Sequence, residues 1–563
     1  MRKGKGEMPS IGMPGNAARE SARTMRDRRS KASRLPLFVV AMVASLLFVA
    51  GAPGQALGLG TGSEMQADGP TFILLRDDSS PFISFAIWVR SGSACDPAGK
   101  EGLAYLTASM LEQGDTQTNA YDAILQKLFP MAAGYSISID REMTVLQGKV
   151  HKDHLAAYYE LLRDAILAPA FREADFERLR GNQVNEIETS LRYQDDEALA
   201  KAVLQWMVFE GTSYAHPEVG LASAVKALTL DDVRNFYRDQ YTRDRIVIGL
   251  AGPFDGGFVE RMYADFSRLP DSGDQAKAAR SLPPGSACAP GAAWRNASDA
   301  AARPHGLRVT LIEKETRSTA ISFGRPIDVT RASDEFYPLM IANSWLGEHR
   351  SSASHLYQVM RSARGLNYGD YSYIEWFAQG AWRQVPPSFH ARSRQMFEVW
   401  IRPVMNANRH FALRQALREI DQLVENGLTA EQFALTRNFL LNFRHHYAPS
   451  LAARLGYAID DQFYGLRQSH LGRIGERVQG ADLAAVNAAV RKWIDAGDMD
   501  IVMVTQDAEA LKRALIADEP SPITYASPTD EAVLAEDKEI ERYPLAIAPE
   551  NIRIIPVEEI FER

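Results

Sequence analysis

Cysteine is nearly absent. Cys95 and Cys288 are the only two in 563 residues, and so small a count excludes a cysteine-rich metal site. Outside the cytoplasm the two could pair, because Cys288 lies in a loop-like stretch, "LPPGSACAPGAAW", able to reach Cys95; two unpaired thiols is the equal alternative. An excess of basic charge is also missing. The formal net charge is −8, which leaves no global footprint for nucleic acid. Beyond residue 60 no apolar run reaches the length of a membrane span, so the body is not a bundle of spans. What is present is ordinary for a soluble globular protein: 46% apolar and 24% charged residues, in a chain long enough for several domains with ample cores.

The N-terminus differs from the rest. A basic flank precedes an apolar run from Leu35 to Ala50, and small residues follow to Gly54-Gln55-Ala56. This is the layout of a secretory signal peptide over residues 1–56, cut after Ala56, with an uncleaved single anchor as the alternative. Arg28-Arg29 matches the start of a twin-arginine signal, but the residues after it fit poorly. No cysteine lies near the cut, which disfavours a lipid anchor. The expected location is periplasmic or secreted, with the membrane engaged only through this segment.

After it, a first body spans 70–270, an Ala/Gly/Pro/Ser-rich linker 271–305, a second body 306–520 and an acidic tail 521–563, whose one apolar stretch, "NIRIIPVEEIF", is suited to docking. The two bodies look like copies. Each opens with a strand pair, "TFILLRDDSSPFISFAIWV" and "LRVTLIEKETRSTAISFGRP". Each has a long helical segment, "EADFERLRGNQVNEI" and "AEQFALTRNFLLNFR", followed by a second helix with an aromatic-glycine ending, "MVFEG" and "QFYG". Each closes with a helix and a strand. Matching landmarks in the same order point to duplication. Strands, then helices, then a strand argue for an α+β fold: two homologous domains, each a mostly antiparallel sheet covered by helices, facing each other across a chamber.

The stretch "EGLAYLTASMLEQG", residues 101–114, has Leu103, Leu106 and Met110 on one face and Tyr105, Ala108 and Ser109 on another, with Gly114 as its stop. Together with "YAHPEVGL", "LTLDDVRNFYRDQYTRDRIVIGLAG" and "VMRSARGLNYGDYSY", it resembles the pitrilysin/insulinase family of zinc peptidases, which includes mitochondrial processing peptidase, over about residues 70–520. The resemblance implies a duplicated fold and a chamber for extended peptides. The family's active helix carries His-x-x-Glu-His, in which histidines at i and i+4 hold one zinc ion and the glutamate takes a proton from its water. Residue by residue, these positions are Tyr105, Ala108 and Ser109 here; only the distal ligand position is filled as expected, by Glu186. Neutral hydroxyls are poor zinc ligands, and alanine is no base, so this chain is expected to hold no metal. The other histidine groups (His151 and His154, His349 and His355, His445 and His446) lack a carboxylate base at a suitable spacing, and His216 matches a structural loop element.

The second body differs from the first in what it keeps. The family places an arginine and a tyrosine there, seven positions apart, which reach the scissile carbonyl; "RSARGLNY" supplies Arg361 and Tyr368. Arg361 is expected to end a helix, Gly365 to turn the chain and Tyr368 to begin a strand. Both side chains are donors suited to a developing oxyanion. Tyr371, Tyr373 and Trp376 follow, as a peptide wall or, more simply, as sheet packing. This division resembles the non-zinc subunit of heterodimeric bacterial members, with zinc carried by a His-x-x-Glu-His paralogue and peptides as substrates. The alternatives are a homodimeric peptide-binding scaffold without catalysis and a self-sufficient hydrolase with a rebuilt metal site.

Overall fold

The computed structural model describes residues 62–64, 69–272, 305–377, 383–525 and 528–563. The expected signal segment 1–56, nearly all of the expected linker and Cys288 lie outside them. In the first half the order is β1 (Gly62–Glu64), β2 (Thr71–Arg76), β3 (Phe82–Val89), α1 (Leu103–Gln113), α2 (Tyr121–Leu128), β4 (Gly134–Ile139) and β5 (Thr144–His151). Helices α3 (Leu155–Leu167), α4 (Glu173–Asn185), α5 (Asp196–Val208), α6 (Ala222–Ala227) and α7 (Leu230–Gln240) follow, then β6 (Ile246–Gly252) and α8 (Gly256–Phe266).

The second half repeats this plan with β7 (Arg308–Glu313), β8 (Ser318–Ile327), α9 (Phe336–Gly347), β9 (Asp370–Tyr373) and β10 (Gln395–Met405). It continues through α10 (Arg409–Asn426), α11 (Ala430–Phe443), α12 (Leu451–Phe463), α13 (His470–Gly480), α14 (Leu483–Trp493), β11 (Asp500–Thr505) and α15 (Ala508–Ile516). The tail adds α16 (Glu531–Ile540) and β12 (Ile552–Pro556). The sheets run β1-β2-β6-β3-β5-β4 and β12-β7-β11-β8-β10-β9, five equivalent strands in the same order, with β1 at one outer edge and the tail strand β12 in the corresponding place of the other sheet. Both are antiparallel except for β2 with β6, β7 with β11 and β7 with β12. The duplication read from sequence landmarks is therefore a duplication of topology.

Local sequence sets the equivalent helices in the same way. Asp195 and Ser450 each accept an amide hydrogen bond at the start of α5 and α12, supplying an acceptor for otherwise unpaired first-turn donors. Past their ends, Gly211 and Gly465 take positive φ, 78° and 64°, a conformation that favours glycine. These are the glycines of the two aromatic-glycine endings.

The pair also changes places. Helix α5 of the first half lies on β8, β10 and β11, and α12 of the second lies on β2, β3 and β6. Both faces of each sheet are thus covered, and the central strands read as near-continuous apolar runs. In β3, Phe85, Ile87 and Val89 join the core under the first half's own helices, while Ala86 and Trp88 meet Leu455, Ile459 and Phe463 of α12. In β11, Ile501 and Met503 face the second half's helices, and Val502 and Val504 face the core that contains Leu199 and Val203 of α5.

The apolar stretch of the tail docks as its composition suggests. Strand β12 pairs parallel to β7, and Val557, Ile560 and Phe561 are buried beyond it. The amides of Ala222 and Ser223 donate to the carbonyls of Phe561 and Glu562 at 2.8 and 3.0 Å. Arg192 donates to the Ile560 carbonyl at 2.8 Å and pairs with Glu562 at 2.9 Å. The tail therefore straps the second half's sheet to the first half's helices. With Phe561 1% exposed and its ring 5.8 Å from Trp206, Phe561→Ala is expected to cost about 3–5 kcal/mol, the usual range for a buried Phe. Urea unfolding of the purified variant checks this.

Candidate functional site

In the first half, Asp96 starts α1. Its carboxylate accepts the amides of Gly102 and Ala104, both at 2.7 Å. Gly102 has φ 107°, and a Cβ there would come within 2.7 Å of Gln183 Nε2. Gln183 donates to the carbonyls of Gly102 and Val219 at 2.9 and 2.8 Å, which ties α4 to the start of α1. At the other end Gly114 is extended rather than left-handed, with φ −96°. Glycine is needed there because a Cβ would meet the Met110 carbonyl oxygen at 2.4 Å.

Helix α1, held in this way, packs against α4, α7 and β4. Ala108 is buried; Tyr105 and Ser109 are half-buried. Glu186 follows α4 directly, at the first position of a π-helical segment, Glu186–Gln194, and is exposed. The pKa of Tyr105 is raised by burial first, then by the charges of Glu186, Glu112 and Glu218. A phenol held neutral beside acids is a weaker metal ligand still, and Ala108 offers no base. These residues do not fit a catalytic zinc ion, which needs three protein ligands and an open position. Among the described residues, the one grouping of at least three His, Cys, Asp or Glu ligand atoms near enough to share an ion is His305, Asp495 and Asp498, and its acids already pair with Arg308 and Arg325.

The remaining histidines have ordinary structural settings. His349 is buried and hydrogen-bonded to the Tyr373 hydroxyl at 2.8 Å. His355 bonds Glu419 at 2.6 Å and stacks on Trp345. His216 is nearly buried, with its pKa lowered by burial and then by Arg141. His151 ends β5 and caps the short helical turn Lys152–His154 that leads into α3, accepting the Asp153 amide.

In the second half, Arg361 sits in a π-helical segment, Tyr357–Ser362, and Gly365 turns the chain with φ 63°. Strand β9 begins at Asp370, two residues later than the sequence suggests for Tyr368. Arg361 Nη1 donates to the Tyr368 carbonyl at 2.9 Å, and the guanidinium lies 4.7 Å from the Tyr357 ring and 5.9 Å from the Tyr368 ring. Tyr368 itself is 73% exposed.

The loop that presents Tyr368 is fixed from below by residues the sequence reading did not single out. Asn367 donates to Asp370 at 2.6 Å and to the Arg402 carbonyl at 3.0 Å, and accepts the Gly369 amide at 3.0 Å. Asp370 is fully buried, and burial pushes its carboxyl up to about 8. Polar residues before a short strand give little sequence signal of this kind. Tyr371 and Tyr373 are buried with Phe377 and Trp400, so they pack the sheet rather than wall a groove. Lys201 of α5 ends 4.9 and 4.6 Å from the Tyr373 and Trp400 rings. Trp376 packs against His390 with the rings tilted by 36° and lies under Arg392, 4.5 Å from its guanidinium.

Where the halves meet, a buried ionic group joins them. Arg392, 2% exposed, bonds Asp140 with two nitrogens, Glu218 at 2.9 Å and Gln205 at 3.0 Å. His390 bonds Asp140 at 2.8 Å, and Tyr214 and the Ser393 amide both donate to Glu142. Beside β4 and β5 a cavity of about 380 Å³ opens, lined by Ser136, Gln147 and Lys149 of the sheet and by Phe389 and Leu455 of the second half.

Comparison with known proteins agrees with this fold. Residues 71–216 match the model of the insulinase peptidases, family M16, and residues 227–440 match that of the M16 inactive domain. An uncharacterized zinc protease of Streptomyces coelicolor is 25% identical over 352 residues, covering 62% of this chain and 69% of that protein. The mitochondrial-processing peptidase beta subunit of Dictyostelium discoideum is 24% identical over 187 residues, 33% of this chain and 39% of its own. Among solved structures, an M16 inactive-domain protein from Pseudomonas fluorescens superposes with a TM-score of 0.65 at 19% identity, over 79% of this chain and 97% of its own. The periplasmic protease PqqL of Escherichia coli gives 0.58 at 14% identity, over 86% and 50%. No helix among the described residues is long and apolar enough to cross a membrane.

Proposed function

Because this chain belongs to the insulinase family of peptidases, family M16, we propose that it is the non-zinc-binding subunit of a heterodimeric metalloendopeptidase, supplying Arg361 and Tyr368 to peptides held at a partner's active site. The observation that carries this reading is the asymmetry between its halves. The face of α1 that would hold a metal is filled by Tyr105, Ala108 and Ser109, whereas Arg361 and the exposed Tyr368 stand together on a braced loop. A guanidinium and a phenol presented in this way can donate to a peptide carbonyl and to the oxyanion that forms from it, a role worth most where the donors are already in place. The partner is a paralogue with an intact His-x-x-Glu-His helix, and the peptide chamber lies between the two chains. The basic flank and apolar run at residues 26–56 support export to the periplasm or beyond, and the Cys95–Cys288 pairing belongs to the same proposal, since an oxidising compartment favours it.

The test is to purify the chain with and without its native partner and assay peptidase activity with and without a chelator. Activity confined to the complex is the expected result. Chelator-sensitive cleavage by the chain alone would refute the reading.

A further inference from the structure

Helix α5 of the first half carries Glu197, Lys201 and Gln205 four positions apart, and so on one face. All three reach the second half. Glu197 accepts from Arg402 Nε at 3.2 Å. Lys201 donates to the Phe377 carbonyl at 3.2 Å and stands 3.6 Å from Glu398. Gln205 accepts from Arg392 at 3.0 Å. Lys201 and Gln205 are buried where the halves meet, whereas Glu197 is partly exposed. Glu197 touches the residue on which the Tyr368 turn hangs.

That residue is Arg402, and a bulge sets its place. Strand β10 pairs with β8 up to Ile401 with Ile321 and resumes at Val404 with Thr319, so Arg402 and Pro403 stand opposite Ala320 alone. One extra residue bends a strand and re-aims what it carries, and a proline, which has no amide hydrogen to give, is tolerated at such a place. On the other side of β10 the ladder with β9 stops at Ile401 with Asp370. One residue on, the Arg402 amide donates to the Gly369 carbonyl at 3.3 Å, and the Arg402 carbonyl accepts from the Asn367 side chain at 3.0 Å. The two residues that flank Tyr368 are thus both held by the backbone of Arg402, while its guanidinium is held by Glu197. Arg361 holds the residue between them, through the Tyr368 carbonyl.

We propose that Glu197 and Arg402 are positioning residues: through their ion pair the first half sets the turn that presents Tyr368 beside Arg361. Neither needs to touch a peptide, since both act through Asn367 and Gly369. The pair is partly exposed on both sides, which makes it a weak source of stability, but it is the side-chain bond by which α5 reaches this turn. The first half, whose α1 carries Tyr105, Ala108 and Ser109, then still serves the reaction, as the platform for donors borne by the other half. The inference rests on the catalytic reading of Arg361 and Tyr368 for its effect on turnover, but not for its effect on the turn.

The test uses the full chain with Tyr368 replaced by 3-fluorotyrosine, read by fluorine NMR on its own and in the complex. Glu197→Ala and Arg402→Ala are each expected to shift and broaden the fluorine line of the chain on its own. The double variant should shift no further than Arg402→Ala, because the two residues lie on a single path. Glu197→Gln keeps an acceptor for Arg402 Nε and should lie near wild type. In the complex, both Ala variants should lose about 10- to 100-fold in turnover, the scale for catalytic groups displaced by an ångström or less. KM, zinc content and the urea midpoint should stay near wild type, since the donors count most in the transition state. A wild-type fluorine line in both Ala variants would overturn the proposal, whatever the activity. So would additive shifts in the double variant, or a Gln variant displaced as far as Ala. A shifted line with full turnover would uphold the link between the halves and refute the catalytic reading of Tyr368 instead.

Discussion

Arg361→Ala in the assembled heterodimer is expected to lower turnover by about 100- to 1,000-fold, the range for removing one preorganised oxyanion donor. Tyr368→Phe, which removes only the hydroxyl, is expected to fall in the same range if the phenol is a donor in its own right. Neither change should unfold the chain. Tyr368 is 73% exposed, and Arg361 makes one hydrogen bond to a backbone carbonyl and lies against two tyrosine rings. Zinc content and partner binding should be unchanged if, as proposed, the metal site belongs to the other chain. Arg361→Lys separates two explanations. A point charge survives in it, while the planar fork of donors does not, so a Lys variant as impaired as Ala would show that geometry rather than charge is what counts. Steady-state kinetics on the reconstituted complex, with metal analysis of each variant, checks all three.

Arg392→Ala should cost about 3–5 kcal/mol of stability, as much as Phe561→Ala, because it strands a buried charge. Asp140, 1% exposed, is the residue left behind. Burial alone would raise its pKa, but Arg392 foremost, then His390, hold the carboxyl well below the usual range. A depressed carboxyl pKa stabilises the fold above the unfolded pKa, and that stabilisation is lost as pH falls toward the folded value. The contribution of Arg392 is therefore complete at neutral pH; without it burial raises the Asp140 pKa, so the variant regains stability as that carboxyl takes up a proton and the gap should narrow as pH falls from 7 toward 4. Because the ionic group joins Asp140, Glu142 and Glu218 of the first half to His390, Arg392 and Ser393 of the second, its loss should also loosen the halves. Arg234→Ala is the control. Its pair with Asp231 is exposed on both sides, and its loss should cost less than about 1 kcal/mol. Urea unfolding at pH 7 and at pH 4 measures both.

The sequence carries the duplication well, because strand pairs, aromatic-glycine endings and closing helix–strand units recur at matching places. Each corresponds to an element with its own local cause, such as the caps at Asp195 and Ser450 or the left-handed Gly211 and Gly465. It does not carry the exchange of α5 and α12 between halves, since an amphipathic helix shows that it has a partner face but not whose sheet supplies it. The helix at Leu103–Gln113 was legible in the sequence, and so was the turn that brings Arg361 beside Tyr368. Asn367 and Asp370 were not. Their importance comes from a carbonyl, an amide or a buried carboxyl brought near by the fold, and no spacing in the chain encodes that. The two-residue delay of β9 has the same origin: Asn367 and the Gly369 amide close a turn before the ladder can start.

The most direct measurement is zinc content and chelator-sensitive peptidase activity of the purified chain, alone and with its native partner, for wild type and Arg361→Ala. The chain alone should bind no stoichiometric zinc and cleave nothing. The wild-type complex should carry zinc and be active, and the Arg361→Ala complex should keep its zinc and lose most of its activity. Stoichiometric zinc in the chain alone, or a fully active Arg361→Ala complex, would contradict the account.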